Sequence, residues 1–433
     1  MPFGIKFYFV RTYLQYLRRV CSTIVKKDQE DFLIRRNTMK NSLRWISLSL
    51  LLSASVNAAP SKKLITIDSD AVNFTNKMFA QKMMKIKSVE GISLLEIDEN
   101  SIEELSHEMH EKFHRCGGFM VHDSIEDALE TLNSSELRNF AKSAPFADYS
   151  ITEEDTVKEL ITQVSEKNIT EVIKKLSSYK NRYYKSQSGV DAVHWIRDRW
   201  TSLVAHRSDA KVELYEHSSW DQPSVILTIE GTTDETIVIG GHADSIAGFW
   251  GRANAHAPGA DDNASGIATM TEVIRVFANS GYKPTKTIKF MGYAAEEVGL
   301  LGSKAIAKEM KQKNANIVGV LQLDMTNFKG SDLDIVMMTD YTNQQQNEFI
   351  GTLLDKYLPT VSWGYDRCGY GCSDHASWHG QGFPASMPFE SKKRDMNHNI
   401  HTARDTIEQS RGGSLHAVKF AKLALAYAVE LDR

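Results

Sequence analysis

The sequence lacks any long run of lysine and arginine, and its 433 residues carry a formal net charge of only −4. Such a chain has no strongly basic segment of the kind that binds nucleic acid or an anionic membrane surface. Internal repeats and low-complexity segments are also missing, which excludes solenoid and fibrous architectures. The apolar content of 42% is enough for a full core, so we expect a globular chain of two or three structural units.

Cysteine is scarce, with four residues in the whole chain. Cys21 and Cys116 stand alone, whereas Cys368 and Cys372 are separated by three residues. In an oxidising compartment this last pair could form a disulfide across a tightly curled loop. A zinc site is the competing interpretation, but no second Cys or His pair follows at the expected spacing. We favour the disulfide.

A basic start and a short apolar stretch mark residues 39–59 as a secretory signal peptide. Met39, Lys40 and Arg44 precede the apolar residues 45–52, and Val56-Asn57-Ala58 forms a small-residue cleavage site. A membrane anchor is the alternative, but the apolar stretch is well short of the roughly 20 residues that a bilayer requires. We therefore expect a secreted protein, with residues 1–38 a doubtful upstream extension.

Two further regions follow the signal peptide. Residues 60–145 alternate short apolar runs with acidic helical stretches and predict a small α+β unit, which a polar joint containing Pro145 separates from the rest. A helical pattern over 157–178 begins the second region. From residue 186 onward, helix-length patterns alternate with short apolar strands, which predicts an α/β three-layer sandwich with a mixed, mostly parallel central sheet over 146–433.

Five clusters of potential metal ligands lie near expected strand ends, where open α/β sheets bind their ligands. They are GGHADS (240–245), PGADDNASG (258–266), YAAEEVGLLGS (293–303), LQLDMTN (321–327) and NIHTARDT (399–406). Any one of these clusters is weak evidence, because a lone His at a strand end is usually a core residue. Five in order indicate one shared site.

The clusters supply two imidazoles and three carboxylates, which are too many ligands for one catalytic zinc. The candidate ligands are His242, Asp261, Glu297, Asp324 and His401. One shared carboxylate, with one His and one further carboxylate for each ion, would hold two zinc ions with a bridging water. Glu296 is then the candidate general base. Asp244 is placed to accept a hydrogen bond from the imidazole of His242.

Together with CGYGCSDHASW (368–378) and MPFES (387–391), these motifs resemble the secreted bacterial leucyl aminopeptidases of the co-catalytic, two-zinc metallopeptidase family. The resemblance covers roughly residues 150–433 with the family's motif order. It implies hydrolysis of the N-terminal peptide bond of peptides with a free amino group, with apolar residues such as Leu preferred. We expect a monomer with two Zn²⁺ per chain. Residues 60–145 resemble the family's prosegments, which assist folding and restrain activity until they are removed.

The resemblance also assigns roles to individual residues. Asp261 is expected to bridge the ions, with His242 and Asp324 on one and Glu297 and His401 on the other, and Asp262 is expected to lie behind the ligands, joined to Asp261 by a cis peptide. Tyr370, within the Cys368–Cys372 loop, is expected to hydrogen-bond the tetrahedral intermediate. Five residues are expected to line the pocket for the N-terminal side chain: Met325, Met338, Met387, Phe389 and Ile400.

Two features qualify this assignment. Lys393 and Met396 occupy positions where close relatives have aromatic residues, so the pocket is expected to be more open. His110-Glu111-Lys112-Phe113-His114 meets a helical zinc-protease pattern. No well-placed third ligand follows it, and we interpret it as an ordinary amphipathic helix with Phe113 buried.

The fold leaves other functions open. A one-zinc glutaminyl cyclase and a binding module without metals are the alternatives from other classes, and a carboxypeptidase or deacylase with a similar metal pair is the alternative among hydrolases. The intact ligand set argues against the binding module most strongly, and no clamp for a substrate carboxylate is evident in the sequence.

Overall fold

A computed structural model describes residues 61–79, 82–89, 91–113, 117–133, 146–248 and 251–433. The predicted upstream extension and signal peptide, Cys21, Cys116 and His114 lie outside these residues. Contacts between Cα atoms group Pro60–Arg433 into one compact unit. No helix in the described ranges is long and apolar enough to cross a membrane.

The amino-terminal part of this unit is a four-stranded antiparallel sheet with three helices, as the predicted α+β unit requires. The strands are β1 (Lys62–Asp68), β2 (Met83–Val89), β3 (Ile92–Asp98) and β4 (Phe119–His122), in the order β2-β3-β1-β4. The helices are α1 (Ser69–Met78), α2 (Ile102–Phe113) and α3 (Ile125–Asn133). We call residues 61–133 the amino-terminal unit.

The larger part is built on an eight-stranded mixed sheet, which confirms the predicted fold class. Its strands are β5 (Ala210–Tyr215), β6 (Ser224–Ile229), β7 (Glu235–His242), β8 (Thr287–Tyr293), β9 (Asn316–Gln322), β10 (Ile335–Met338), β11 (Trp363–Asp366) and β12 (Ala385–Phe389), in the order β11-β10-β12-β9-β7-β8-β6-β5. The neighbouring pairs β8–β7, β7–β9, β9–β12 and β10–β11 are parallel, whereas β5–β6, β6–β8 and β10–β12 are antiparallel.

Helices cover both faces of this sheet and make it the middle of three layers. They are α4 (Glu154–Ile161), α5 (Glu166–Ser177), α6 (Gln187–Val204), α7 (Ala264–Ser280), α8 (Leu301–Gln312), α9 (Gln344–Tyr357), α10 (His375–Gly380) and α11 (Leu415–Leu431). Alternate strand residues enter different cores, since Val225 and Leu227 of β6 join the α7 and α11 side whereas Ile226 joins the side of α8.

The helical pattern over 157–178 proves to be two helices rather than one. Helix α4 ends at Ile161 and α5 begins at Glu166. The backbone N–H of Ser165 donates to Glu272 Oε1 at 2.6 Å, and the Gln163 carbonyl accepts from Arg275 Nη2 at 2.5 Å. Because α7 supplies both partners, the break depends on a contact that local periodicity does not contain.

Candidate active site

The sequence clusters meet where strands of the large sheet end. His242 is the last residue of β7, Glu296 and Glu297 follow β8, and Asp324 follows β9. Asp262 lies just before α7, whose N-cap is Asn263. His401 comes from the loop after β12. Five loops that are far apart in sequence therefore contribute to one buried cluster.

Asp262 is the centre of that cluster, because each of its carboxylate oxygens faces one imidazole. Its Oδ1 lies 3.0 Å from His242 Nε2, and its Oδ2 lies 3.2 Å from His401 Nε2. Asp324 Oδ1 is 3.3 Å from the same nitrogen of His242, and Glu297 Oε2 is 2.7 Å from that of His401. The arrangement is two half-sites, each with one His and one carboxylate, joined by a shared aspartate.

The expectation that Asp261 is the shared carboxylate is corrected by this geometry. Asp261 is buried, but its oxygens accept hydrogen bonds from the backbone N–H of Asn327 (3.1 Å) and from Asn397 Nδ2 (3.3 Å). Adjacent side chains leave the backbone in different directions, so only one of the two aspartates can face the histidines. The cis peptide is shifted by one residue in the same way, since it joins Asp262 to Asn263 rather than Asp261 to Asp262.

Asp244 connects the two sides of the cluster. His242 Nδ1 lies 3.2 Å from the backbone oxygen of Asp244 and 3.3 Å from its carboxylate Oδ1. The same carboxylate accepts the backbone N–H groups of Glu296 at 3.0 Å and of Glu297 at 3.2 Å. Asp244 thus lies where the sequence predicts it, and it also orders the turn that carries both glutamates.

Three residues of the site adopt left-handed backbone conformations that residues other than glycine seldom adopt. Ala295 precedes the glutamates with φ of 56°, Met325 follows Asp324 with φ of 53°, and His401 has φ of 56°. Such conformations cost on the order of 1–3 kcal/mol each and persist where the surrounding structure enforces them. Several such conformations close to one cluster are typical of a functional site. No sequence pattern predicts these backbone conformations.

The electrostatics of the cluster are those of closely spaced, buried carboxylates. Burial raises the pKa of Glu296 well above its ordinary value, and the negative charge of Glu297 adds to that effect against the attraction of His242. Burial likewise raises the pKa of Glu297 to about 7. For Asp262, burial acts in the same direction, but the hydrogen bonds and charges of His242 and His401 outweigh it and keep the pKa below its ordinary range.

Two supporting residues escaped the sequence analysis. Arg182 is fully buried and donates to the carbonyl oxygens of Ala243 (2.9 Å), Pro258 (2.6 Å) and Gly259 (2.9 Å), so it ties the loop after β7 to the loop before α7. Asp405 accepts the backbone N–H of Asp262 at 3.0 Å. Asp405 belongs to the NIHTARDT motif and could have been noticed there, whereas nothing near Arg182 in the sequence indicates its role.

The residues expected to line a substrate pocket form one buried apolar cluster. Met325, Met338, Met387, Phe389 and Ile400 lie together with Tyr370 and Met396. Cys368 and Cys372 are bonded, with their Cα atoms 6.2 Å apart, which confirms the predicted disulfide over the alternative of a zinc pair. Lys393 Nζ lies 3.0 Å from Met396 Sδ and 5.8 Å from the centre of the Tyr370 ring. A cation thus lies at the edge of a cluster rich in methionine.

Residues 110–113 of the His110 motif lie on helix α2, as predicted, but Phe113 is less buried than expected and His110 has a neighbour that the sequence does not predict. Phe113 is only partly buried, against Phe74, with ring centres 5.7 Å apart. The ring of His110 lies 4.4 Å from the ring of His401. Helix α2 therefore reaches the edge of the candidate metal cluster.

Comparisons with known proteins agree with this site. Residues 224–426 match the model of peptidase family M28. The chain is 37% identical over 306 residues to leucine aminopeptidase 1 of Ajellomyces dermatitidis, an alignment that covers 68% of this chain and 78% of that relative. The crystal structure of LapB from Legionella pneumophila superposes with a TM-score of 0.72 at 31% identity, over 86% of this chain and all of that one.

A Porphyromonas gingivalis glutaminyl cyclase shares the fold alone, with a TM-score of 0.52 at 13% identity over 62% of this chain and 99% of that one. The fold by itself therefore does not decide the reaction. The alignment with the fungal relative covers 78% of that protein. The loops that carry the candidate ligands all lie within residues 224–426, which match the family model. The chain belongs to peptidase family M28, and with it to the zinc-dependent aminopeptidases.

Proposed function

We propose that this protein is a two-zinc aminopeptidase that hydrolyses the first peptide bond of peptides with a free amino group. The observation that carries the proposal is the position of Asp262, whose two oxygens each face one histidine at 3.0 and 3.2 Å. A mononuclear catalytic site needs only three protein ligands. A single zinc ion would therefore leave one of the two His–carboxylate pairs without a metal ion. The intact pair of half-sites therefore favours the aminopeptidase over a one-zinc cyclase.

The residues present fit a pair of divalent cations. Within the described part of the chain, Glu296 Oε2, Glu297 Oε1 and Asp324 Oδ1 are buried oxygens without a hydrogen-bond partner. Buried carboxylates of this kind are costly unless a proton or a cation compensates them. His242 and Asp324 would hold one ion, His401 and Glu297 the other, and Asp262 both. Bound zinc would polarise the scissile carbonyl and lower the proton affinity of water.

Glu296 is the residue of the chain that moves the proton. Its backbone is fixed by Asp244, and its side chain is buried beside the ligand Glu297. A carboxylate held beside the metal ligands is the kind of group that acts as a general base toward an attacking water. Glu296 Oε2 takes a proton from the attacking water and returns it to the nitrogen of the leaving amine. Tyr370 donates its hydroxyl hydrogen to the oxygen of the tetrahedral intermediate.

The methionine-rich cluster provides the binding site for the N-terminal side chain. Met325, Met338 and Met387 are flexible, polarizable side chains that adapt to different apolar groups. We therefore propose apolar residues such as Leu as preferred, with Lys393 replacing an aromatic wall and widening the range of accepted side chains.

We further propose that the protein is exported through its signal peptide and that residues 60–145 act as a prosegment which assists folding and inhibits the enzyme. The contacts of helix α2 support the inhibitory part. Ser106 Oγ donates to the Glu297 carbonyl at 2.8 Å, and His110 lies against His401. A helix in this position obstructs the approach of a substrate to the metal ligands. The enzyme acts as a monomer in this proposal.

The test is the variant Glu296→Gln in zinc-loaded protein, with leucine p-nitroanilide as substrate. We expect kcat to fall by about 10²- to 10⁴-fold, while the zinc content of the variant equals that of the wild type. Glu171→Gln, at an exposed position on α5, is the matched control and keeps full activity. Unchanged turnover in Glu296→Gln would remove this residue from the mechanism.

A further inference from the structure

Helix α2 of the amino-terminal unit packs on the turn that carries the two glutamates. Its buried positions are three and four residues apart, a spacing that places them on one face of a helix. They are Ile102, Leu105, Ser106, Met109 and His110. Leu105 shares one buried apolar cluster with Ala295 and Val298, which lie on either side of the glutamates. The buried face of α2 is therefore held against the candidate metal cluster.

Two polar residues of this face, one helical turn apart, contact the same half-site. Ser106 Oγ donates to the Glu297 carbonyl at 2.8 Å, and the centre of the His110 ring lies 4.4 Å from that of His401. Glu297 Oε2 and His401 Nε2 are themselves only 2.7 Å apart. His110 is 7% exposed. The helix thus brings a buried imidazole to the half-site that Glu297 and His401 form.

The distance between the two rings is close to that of imidazoles that bind one zinc ion. A ligating imidazole nitrogen lies about 2.1 Å from zinc, which puts the centre of its ring about 3.2 Å from the ion. Two such rings, at an angle of about 90° to 110° at the ion, have their centres about 4.5 to 5.2 Å apart. The separation of 4.4 Å between His110 and His401 lies next to the lower limit of this range.

The chemistry of the cluster favours a neutral ligand as the next one. A catalytic zinc ion keeps a position beyond its three protein ligands, which water or substrate occupies. The ionised carboxylates of four buried residues balance the charges of two zinc ions: Asp262, Glu296, Glu297 and Asp324. An imidazole adds no charge to this cluster, whereas another carboxylate would bring a buried negative charge without compensation.

We infer that His110 is a ligand of the zinc ion held by Glu297 and His401 as long as the amino-terminal unit is attached. Its imidazole takes the coordination position that water or substrate needs, so metal binding adds to the obstruction that keeps the full-length chain inactive. The inference rests on the proposed two-zinc function. It gives a role to the first histidine of the 110–114 motif through an ion that the larger part of the chain holds.

Zinc binding and attachment of the amino-terminal unit then strengthen each other. Coupling between two binding events is reciprocal, so the factor by which His110 raises zinc affinity is also the factor by which zinc strengthens the attachment. Loss of a hydrogen-bond partner of a zinc ligand weakens metal binding about 10- to 100-fold, and loss of a direct ligand should cost at least as much. The zinc affinity and the release of the unit therefore both report on His110, independently of turnover.

The experiment titrates zinc into metal-free full-length protein at pH 8 against a competing chromophoric chelator. Glutamine in His110→Gln removes the imidazole, and phenylalanine in His110→Phe keeps a ring against His401 but offers no donor. We expect both variants to bind one of the two ions at least about tenfold more weakly than the wild type. The ion held by His242 and Asp324 should keep its affinity. Wild-type affinity for both ions in His110→Phe would reduce His110 to a packing role and overturn the inference.

His122→Gln is the matched control. His122 is another buried histidine of the amino-terminal unit, 2% exposed, and it contacts Thr66 and Lys304. Its replacement loosens the docking of the unit without taking a donor from the half-site, so both zinc affinities should stay at the wild-type level. Equal weakening in His110→Gln and His122→Gln would assign the effect to looser docking and would also overturn the inference.

A chelator provides the reciprocal measurement. Removal of zinc from the wild type should accelerate the proteolytic release of the amino-terminal unit by at least about tenfold. The acceleration should be much smaller in His110→Gln, because this variant has already lost the bond between the unit and the ion. The same acceleration in both proteins would contradict a direct bond.

Failure of the inference and failure of the proposed function give different results. If only the inference fails, the wild type without its amino-terminal unit hydrolyses leucine p-nitroanilide with two zinc ions bound, and the His110 variants bind zinc as the wild type does. If the proposed function fails, the same zinc-loaded protein hydrolyses no substrate with a free amino group.

Discussion

Acidification should weaken the attachment of the amino-terminal unit through one buried histidine. His122 is 2% exposed and lies between Thr66, whose Oγ1 is 2.8 Å from Nε2, and Lys304, whose Nζ is 2.6 Å from Nδ1. Burial and then the charge of Lys304 lower the pKa of His122 to about 4, against the opposing effect of Asp127 and Asp123. A protonated His122 would lose the hydrogen bond from Lys304 and place two cations side by side.

The sign and size of the effect follow from this shift. The unfolded chain binds a proton at His122 below the ordinary pKa of 6.5, whereas the folded chain does so only near 4. Stability is therefore fully present above pH 6.5 and falls as the pH decreases toward 4. Each pH unit costs about 1.4 kcal/mol, so the loss is about 2 kcal/mol at pH 5. Asp127, whose pKa is lowered in the folded protein, stays almost fully ionised in both states at pH 5 and above.

The assay is urea unfolding of the full chain at pH 8 and pH 5 at constant zinc concentration, in the wild type and in His122→Gln. Glutamine keeps a neutral donor and acceptor but does not titrate. Metal binding contributes its own pH dependence, which is common to both proteins and cancels in their difference. We expect the variant to lose about 2 kcal/mol less than the wild type between the two pH values. Equal losses would refute the assignment of this pH dependence to His122.

Three further predictions concern the site. Arg182→Met should lower the free energy of unfolding by about 3 kcal/mol or more, measured by urea titration, because several buried carbonyl groups lose their donor. Asp262→Ala should abolish binding of both zinc ions, whereas Asp261→Asn should keep both with affinity reduced about 10- to 100-fold, as calorimetric titration would show. Ser106→Ala should accelerate proteolytic release of the amino-terminal unit about fivefold, since the hydrogen bond to the Glu297 carbonyl contributes about 1 kcal/mol.

Much of the large sheet could be predicted because its elements have strong local patterns. The sequence predicts helices over residues 264–277 and 414–431, and helix α7 (Ala264–Ser280) and helix α11 (Leu415–Leu431) agree with these ranges to within three residues. In the amino-terminal unit, β2 and β4 were not predicted. Strand β2 is largely exposed and shows no clean apolar alternation, and β4 has only four residues. Such elements form through pairing with neighbours that are distant in sequence.

In the site, too, local sequence motifs predict some features, whereas other features depend on residues that are distant in sequence. Motifs identify which loops meet, and they place His242 and Glu297 in the cluster. They do not distinguish Asp261 from Asp262, because both are acidic and adjacent. That choice depends on distant residues: Asn327 and Asn397 bind the Asp261 carboxylate, and Asp405 accepts the Asp262 N–H. Arg182 is beyond local prediction for the same reason.

The central claim, a two-zinc aminopeptidase, is tested most directly by zinc titration of the metal-free protein with hydrolysis of leucine p-nitroanilide as the readout, beside the N-acetylated substrate. We predict that activity toward the free-amine substrate reaches its maximum at two zinc ions per chain and is lost with a chelator, and that the acetylated substrate is not cleaved. Saturation at one zinc without hydrolysis, or equal cleavage of both substrates, would contradict the account.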